Sequence, residues 1–148
     1  MLQSDAVALR LDDADSQAFS QQLRRSLIDA ERHELPASLC MLELSQPNED
    51  LMRLLTDSQR GLDLQLRLRN GRDHDCLLVL MPLTSAEGGR GYMERLHYLL
   101  TERFGQNQSL AALGVQDMHY ELDAAGRREG LRHFLFNECA LNDRQVAV

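Results

Sequence analysis

Arg60-Gly61-Leu62-Asp63 places a guanidinium and a carboxylate three positions apart, with a glycine between them that permits a turn. Held on a rigid turn, such a pair can read guanine. The carboxylate accepts from the N1 and N2 hydrogens, and the arginine donates to N7, O6 or a phosphate. The spacing by itself is weak. With 16 Arg and 13 Asp in 148 residues, about one or two Arg-x-x-Asp matches arise by chance. Three occur: Arg10 to Asp13, Arg60 to Asp63 and Arg72 to Asp75. A solvated ion pair at a turn, contributing well under about 1 kcal/mol, accounts for any of them equally well.

Other chemistry-bearing residues point less far. Asp73-His74-Asp75-Cys76 has metal-ligand types, but one histidine among acids is more often a polar turn, and no second His or Cys cluster completes it. His33, His97, His119 and His133 stand singly. Cys40, Cys76 and Cys139 are far apart and odd in number, which favours reduced thiols over a disulfide framework. Cys76 in a strand reads as packing rather than as a nucleophile. Gly88-Gly89-Arg90-Gly91 lacks the strand and lysine of a phosphate loop and reads as a helix entry needing close packing. Every basic residue is arginine. No lysine is available for a Schiff base, and every cationic site is a planar fork suited to phosphates and guanine edges.

Composition bounds the function further. The net charge of −7 and pI of about 5.1 argue against coating a DNA or RNA duplex, which needs a basic surface. A small anionic ligand held by a few local arginines stays open. The 148 residues suit one domain with a real core, and 43% hydrophobic residues exclude wholesale disorder. Cys76 to Met81, the longest apolar run, is far too short to enter a bilayer as a span, and no secretion signal opens the chain.

The elements that must position these residues follow from periodicity. Met1 to Asp15 reads as a leader or linker remnant. Ser16 caps a helix with Phe19, Leu23, Leu27 and Ala30 on one face. Pro36 ends it, and Leu39 to Leu44 is a buried strand. A turn at Gln46-Pro47-Asn48 leads to a second helix, with Leu51, Leu54, Leu55 and Ser58 as its inner face. Leu62, Leu64, Leu66 and Leu68 alternate with polar residues, so this strand has one wet face and Asp63 points to solvent. Asn70-Gly71 turns the chain into a hairpin with Leu77 to Met81. Thr84 or Ser85 caps a long helix buried through Tyr92, Leu96, Leu99, Leu100 and Phe104, with Arg95 off that face. Val115 to Leu122 is a strand, and a last helix carries Leu131, Phe134, Leu135 and Leu141. The order αβαββαβα gives an α+β fold, a mainly antiparallel sheet flanked by helices.

The strand, the Arg60-x-x-Asp63 turn, the hairpin ending Leu80-Met81-Pro82 and the long helix after it resemble a GGDEF domain, the diguanylate cyclase (palm-like) fold. In that family the Arg-x-x-Asp element is the inhibitory site for cyclic di-GMP, just upstream of the signature turn. Counted from Asp63, that signature falls on Arg69-Asn70-Gly71-Arg72-Asp73; counted back from Pro82, on Asp73-His74-Asp75-Cys76-Leu77. Either way its second acidic position is lost, to Arg72 or to Cys76. The first strand shows Glu43 and Ser45 in place of the family's two aspartates, and there is room for one helix before Arg60 where an active cyclase has two. Two divalent ions on a triphosphate need oxygen ligands that this pocket has mostly lost.

Within that family, Leu35-Pro36-Ala37-Ser38-Leu39, Arg69-Asn70, Pro82-Leu83-Thr84, Arg103-Phe104-Gly105 and Asn137 to Asp143 look like the C-terminal domain of PelD-type receptors, which serve Pel exopolysaccharide export. The resemblance runs from about Ser16 to Val148, making residues 16–148 a degenerate GGDEF domain. It implies no catalytic residue, no metal and no cofactor, with cyclic di-GMP as ligand of Arg60, Asp63 and Arg95. It implies other components of a polysaccharide synthesis and export complex as partners. It also implies a cytoplasmic position, as the cytosolic part of an inner-membrane-anchored protein that carries a GAF domain upstream. A module that binds partners but no nucleotide is the alternative.

Overall fold

A computed structural model describes residues 8–9, 14–58, 63–105, 109–122, 128–142 and 146–147. In chain order the elements are β1 (Ala8–Leu9), α1 (Ala14–His33), β2 (Ala37–Leu44), α2 (Glu49–Asp57), β3 (Leu64–Arg69), β4 (Asp75–Pro82), α3 (Ala86–Phe104), β5 (Val115–Leu122), α4 (Arg128–His133) and β6 (Val146–Ala147). Phe134–Glu138 prolongs α4 as a π-helical turn.

The main sheet has the order β3-β4-β2-β5, antiparallel throughout. Its two middle strands carry the runs SLCMLEL and CLLVLM, buried from end to end. Such unbroken apolar strands need cover on both faces, and the helices supply it. On one face Leu39, Met41, Leu66, Leu68, Leu78 and Leu80 meet Phe19, Leu23 and Leu27 of α1 and Leu131, Phe134 and Leu135 of α4 and its extension. On the other, Leu42, Val79 and Met81 meet Leu51, Met52 and Leu55 of α2 and Tyr92, Leu96 and Leu100 of α3. The α+β expectation therefore holds, as helix layers on both sides of one antiparallel sheet.

The helix ends follow local chemistry. Asn48 caps α2, its side-chain oxygen accepting from Leu51 N at 3.1 Å, with Glu49 and Asp50 in the first turn. Ser85 caps α3, and Gly105, at φ 102°, closes it. Gly89 lets α3 press on the sheet: a Cβ there would lie 2.8 Å from His119 Nε2.

Three expectations need correction, and the hairpin gains detail. α1 begins at Ala14, so Ser16 lies inside its first turn instead of capping it. Leu141 packs in the core beyond the last helix. The hairpin turns where Asn70-Gly71 puts it, and it is wide: Arg69 pairs with Asp75, leaving residues 70–74 as a five-residue loop. Asn70 explains this, because its side-chain oxygen accepts from the backbone N–H of both Arg72 and His74 and braces the wider loop. Asp63, lastly, is buried at 5% exposure and does not point to solvent. It does lie opposite the leucines of β3, but α2 and α3 cover that face too; Gln65, next on it, donates to Thr56 O of α2 at 2.9 Å.

Ala8–Leu9 pairs antiparallel with Val146–Ala147, closing a small second sheet between the two ends of the chain. Among the described residues no helix is long and apolar enough to cross a membrane.

Candidate functional site

Of the residues singled out for guanine recognition, Asp63 and Arg95 are described, and Arg95 is held at the C-terminal end of α2. Arg60 lies outside the described residues, as do Gly61 and Leu62. Ser58, the last described residue before them, caps α2 with its N–H on Leu55 O. Its hydroxyl donates to Leu55 O and lies 3.2 Å from the Tyr92 hydroxyl. Its carbonyl accepts a hydrogen bond from Nη2 of Arg95. Arg95 is thus half-buried and aimed at the segment that carries Arg60. Its guanidinium carbon also sits 5.6 Å from the centroid of the Tyr92 ring, a cation–π contact that fixes its plane. The Nε of Arg95 is buried and has no hydrogen-bond partner among the described residues.

Asp63 immediately precedes β3, whose Gln65 donates to Leu55 O and Thr56 O in the last turn of α2, next to the Ser58 carbonyl that holds Arg95. Burial raises the Tyr92 hydroxyl above its ordinary value. The bond to Ser58 opposes this, Cys40 raises it further, Arg95 opposes it, and the charge of Asp63 adds a last small increase. The structure brings Asp63 and Arg95 to one pole of the sheet, beside the exit of α2. The arrangement can offer a carboxylate acceptor and a stacked, oriented guanidinium to a base that carries N–H donors on one edge and acceptors on another.

A second polar cluster stands at the hairpin loop. Glu43 of β2 is 3% exposed. Arg72 binds it with both prongs, Nε to Oε2 and Nη2 to Oε1, each at 2.8 Å. Asn70 Nδ2 donates to Oε2 at 2.8 Å, and His74 Nδ1 lies 2.7 Å from the same oxygen. The Arg72 hydrogen bonds pull the Glu43 carboxyl down to about 2 against the opposing cost of burial, with Asn70 and His74 adding to the pull. The same loop is tied to the chain's far end. Arg72 Nη2 donates to Glu138 O at 2.8 Å, Asn70 Nδ2 to Cys139 O at 3.1 Å, and Gly71 N to Ala140 O at 2.6 Å.

The loop occupies residues 70–74, which is where the signature falls when counted from Asp63. In that frame Arg72 holds the second acidic position. Sequence reasoning named Glu43 and Arg72 as departures from the family pattern but not as each other's partner. They are 29 residues apart, and no local spacing signals the contact.

The Asp73-His74-Asp75-Cys76 run disperses. His74 turns to Glu43, and Asp75 pairs with Arg67 at 2.6 Å. Cys76 is buried, its Sγ donating to His74 O at 3.3 Å. Among the described residues no three His, Cys, Asp or Glu side chains gather into a metal-holding group.

The family model of the PelD GGDEF domain matches residues 14–138. A crystal structure of a C-terminal fragment of PelD from Pseudomonas aeruginosa PAO1 is 58% identical, with a TM-score of 0.87, over 95% of this chain and 50% of that one. PelD from P. aeruginosa PA14 in complex with c-di-GMP is likewise 58% identical, with a TM-score of 0.87, over 93% of this chain and 50% of that one. The chain spans about half the length of these structures. No curated protein matches it.

Proposed function

The chain belongs to the PelD GGDEF-domain family, and from that premise we propose that it is a non-catalytic receptor domain for cyclic di-GMP that regulates Pel-type exopolysaccharide synthesis and export. The observation that carries the reading is the 58% identity, over 93% of the chain, to a PelD structure solved with c-di-GMP. The ligand is read by Arg60, Asp63 and Arg95. Asp63 accepts from the N1 and N2 hydrogens of a guanine; the two arginines take its N7 and O6 or a phosphate oxygen. Burial of Asp63 strengthens such bonds, because little water competes with them. The Nε of Arg95, without a hydrogen-bond partner among the described residues, is a donor already stripped of solvent.

Absence of turnover rests on the second cluster. Two metal ions on a triphosphate require carboxylates free to coordinate them. Glu43 is instead committed to Arg72, a cation built into the loop. The ligand's effect is a shift in the population of an arrangement that engages other components of the export complex, from the cytosolic side of an inner membrane.

Titration calorimetry on the whole chain tests the site. The wild type binds cyclic di-GMP, and Arg60→Ala, Asp63→Asn and Arg95→Ala each weaken binding at least tenfold while thermal melts show a folded protein. Equal binding by all four removes the assigned residues. A wild type that shows neither heat nor a ligand-induced rise in melting temperature removes the receptor reading altogether and leaves the partner-binding module. Incubation with GTP and magnesium yields no cyclic di-GMP; product formed by the purified chain overturns the loss of catalysis.

A further inference from the structure

We propose that the groove between α2 and α3 is a second nucleotide subsite, continuous with the Asp63–Arg95 pole and suited to a guanine ring with its attached phosphate. This rests on the cyclic di-GMP reading above and adds to it a place for a part of the ligand that the first pole does not hold.

Ser58 joins the two sites. It lines the groove, and its carbonyl and hydroxyl also serve Arg95 and Tyr92. On α3 the groove is lined by Leu99 and Arg103. These follow Arg95 at intervals of four, so the three side chains form one line along the helix, leading from the first pole into the groove. From α2 come Arg53 and Leu54, with Asp50 and Asp57.

The chemistry repeats that of the first pole. Arg53 and Arg103 are exposed, and neither is paired to a carboxylate among the described residues, although Arg53 and Asp57 stand four apart on one helix. Arg67, Arg72 and Arg128, by contrast, are each held in an ion pair. Leu54 and Leu99, both half-buried, offer apolar walls to a flat ring. The carboxylates of Asp50 and Asp57 repel a bare anion but accept the N1 and N2 hydrogens of guanine, while the two guanidiniums answer a phosphate or the N7–O6 edge. The groove measures ≈ 370 Å³. That is near the lower bound of about 300 Å³ for small-molecule sites, and it suits one nucleotide unit rather than a whole cyclic dinucleotide.

Calorimetry with cyclic di-GMP on the whole chain is the test, with Arg53→Ala, Arg103→Ala and the double variant beside Asp63→Asn. Both arginines are exposed, so the melts of these variants should match the wild type. The proposal expects each single change to weaken binding about tenfold and the double change more, with inorganic phosphate giving no heat in any protein. If the double variant binds within twofold of the wild type while Asp63→Asn binds far more weakly, the subsite is refuted and the first pole stands. If the wild type itself does not bind, the receptor reading fails and the subsite falls with it. Phosphate heat that vanishes in the double variant also refutes the proposal, since the groove would then be a site for simple anions.

Discussion

Glu43 and Arg72, 29 residues apart, meet in a two-pronged ion pair with both N–O distances at 2.8 Å. One partner is buried within the sheet; the other sits half-exposed on the hairpin loop and also holds Glu138 O. The pair therefore fastens three distant pieces of chain at one point: the end of β2, the loop, and the segment after α4. Inside the loop, Asn70 holds the backbone of Arg72, Asp73 and His74, and Asp73 takes a positive φ. The Glu43 carboxylate and the segment after α4 then anchor this loop from outside.

Arg72→Ala leaves a buried carboxylate with only Asn70 and His74 as partners. Because Arg72 is itself half-exposed, its removal costs less than breaking a fully buried pair, about 2 kcal/mol, which for a domain of this size lowers the melting temperature by roughly 6 °C. Arg69→Ala is the control: its ion pair with Asp73, at 3.5 Å, is more than half exposed on both sides, so the change should cost under about 1 kcal/mol. Differential scanning calorimetry that finds the two variants alike contradicts the fastening role of Arg72.

The same carboxylate gives the fold an acid limit. Folded Glu43 holds its proton less readily than the unfolded residue, at about 2 against a reference of 4.5. Its contribution is therefore complete above pH 4.5 and is lost as the pH falls from there through 2. Allowing for solvent around Arg72, the loss is on the order of 2 kcal/mol. Urea unfolding between pH 6 and pH 2 should show this slope in the wild type and a flatter one in Glu43→Gln. Parallel curves would mean that other carboxylates set the limit.

Two glycines should respond to alanine with opposite signs. A Cβ on Gly71 would lie 2.8 Å from the carbonyl oxygen of Ala140, a backbone atom that cannot swing aside. Gly71→Ala must lift the loop from the chain's far end, at a cost of about 1–3 kcal/mol. Gly91, inside α3, has nothing within 4 Å of the added carbon, so Gly91→Ala should stabilise by about 0.5–1 kcal/mol. Chemical denaturation of the pair reads both. A Gly71→Ala chain as stable as the wild type would show the tie to be dispensable.

Much of this was legible from periodicity. Strands that alternate or run apolar, and helices with leucine faces, depend on neighbours in sequence, so β2, α2, β4, α3 and β5 fall close to where spacing puts them. What stayed hidden depends on residues far apart. The outward aim of Asp63 was a sound inference from alternation in β3, and it failed because alternation cannot say that α2 and α3 cover the other face. The Asn-Gly pair signals a turn, but not that the Asn70 side chain reaches Glu43 and Cys139, across 27 and 69 residues. Arg95 lies off the apolar stripe as expected, yet only the fold brings it to Ser58.

The three cysteines should be chemically silent while the chain is folded. Each is buried. Burial, with the charges of Asp117 and Asp63, pushes the Cys40 thiol up to about 12. Burial and then Glu43 push Cys76 up to about 12, and burial raises Cys139 as well. A thiol reacts as its thiolate, so access and ionisation fail together. A chromogenic disulfide reagent at pH 8 should leave the native protein unmodified for as long as it takes to label all three thiols in denaturant. Labelling should then follow global unfolding, and Arg72→Ala should speed it by the factor its lost stability implies, about thirtyfold for 2 kcal/mol. A cysteine that reacts in the native wild type at the denatured rate would mark a local opening that the packing around β2 and β4 does not allow.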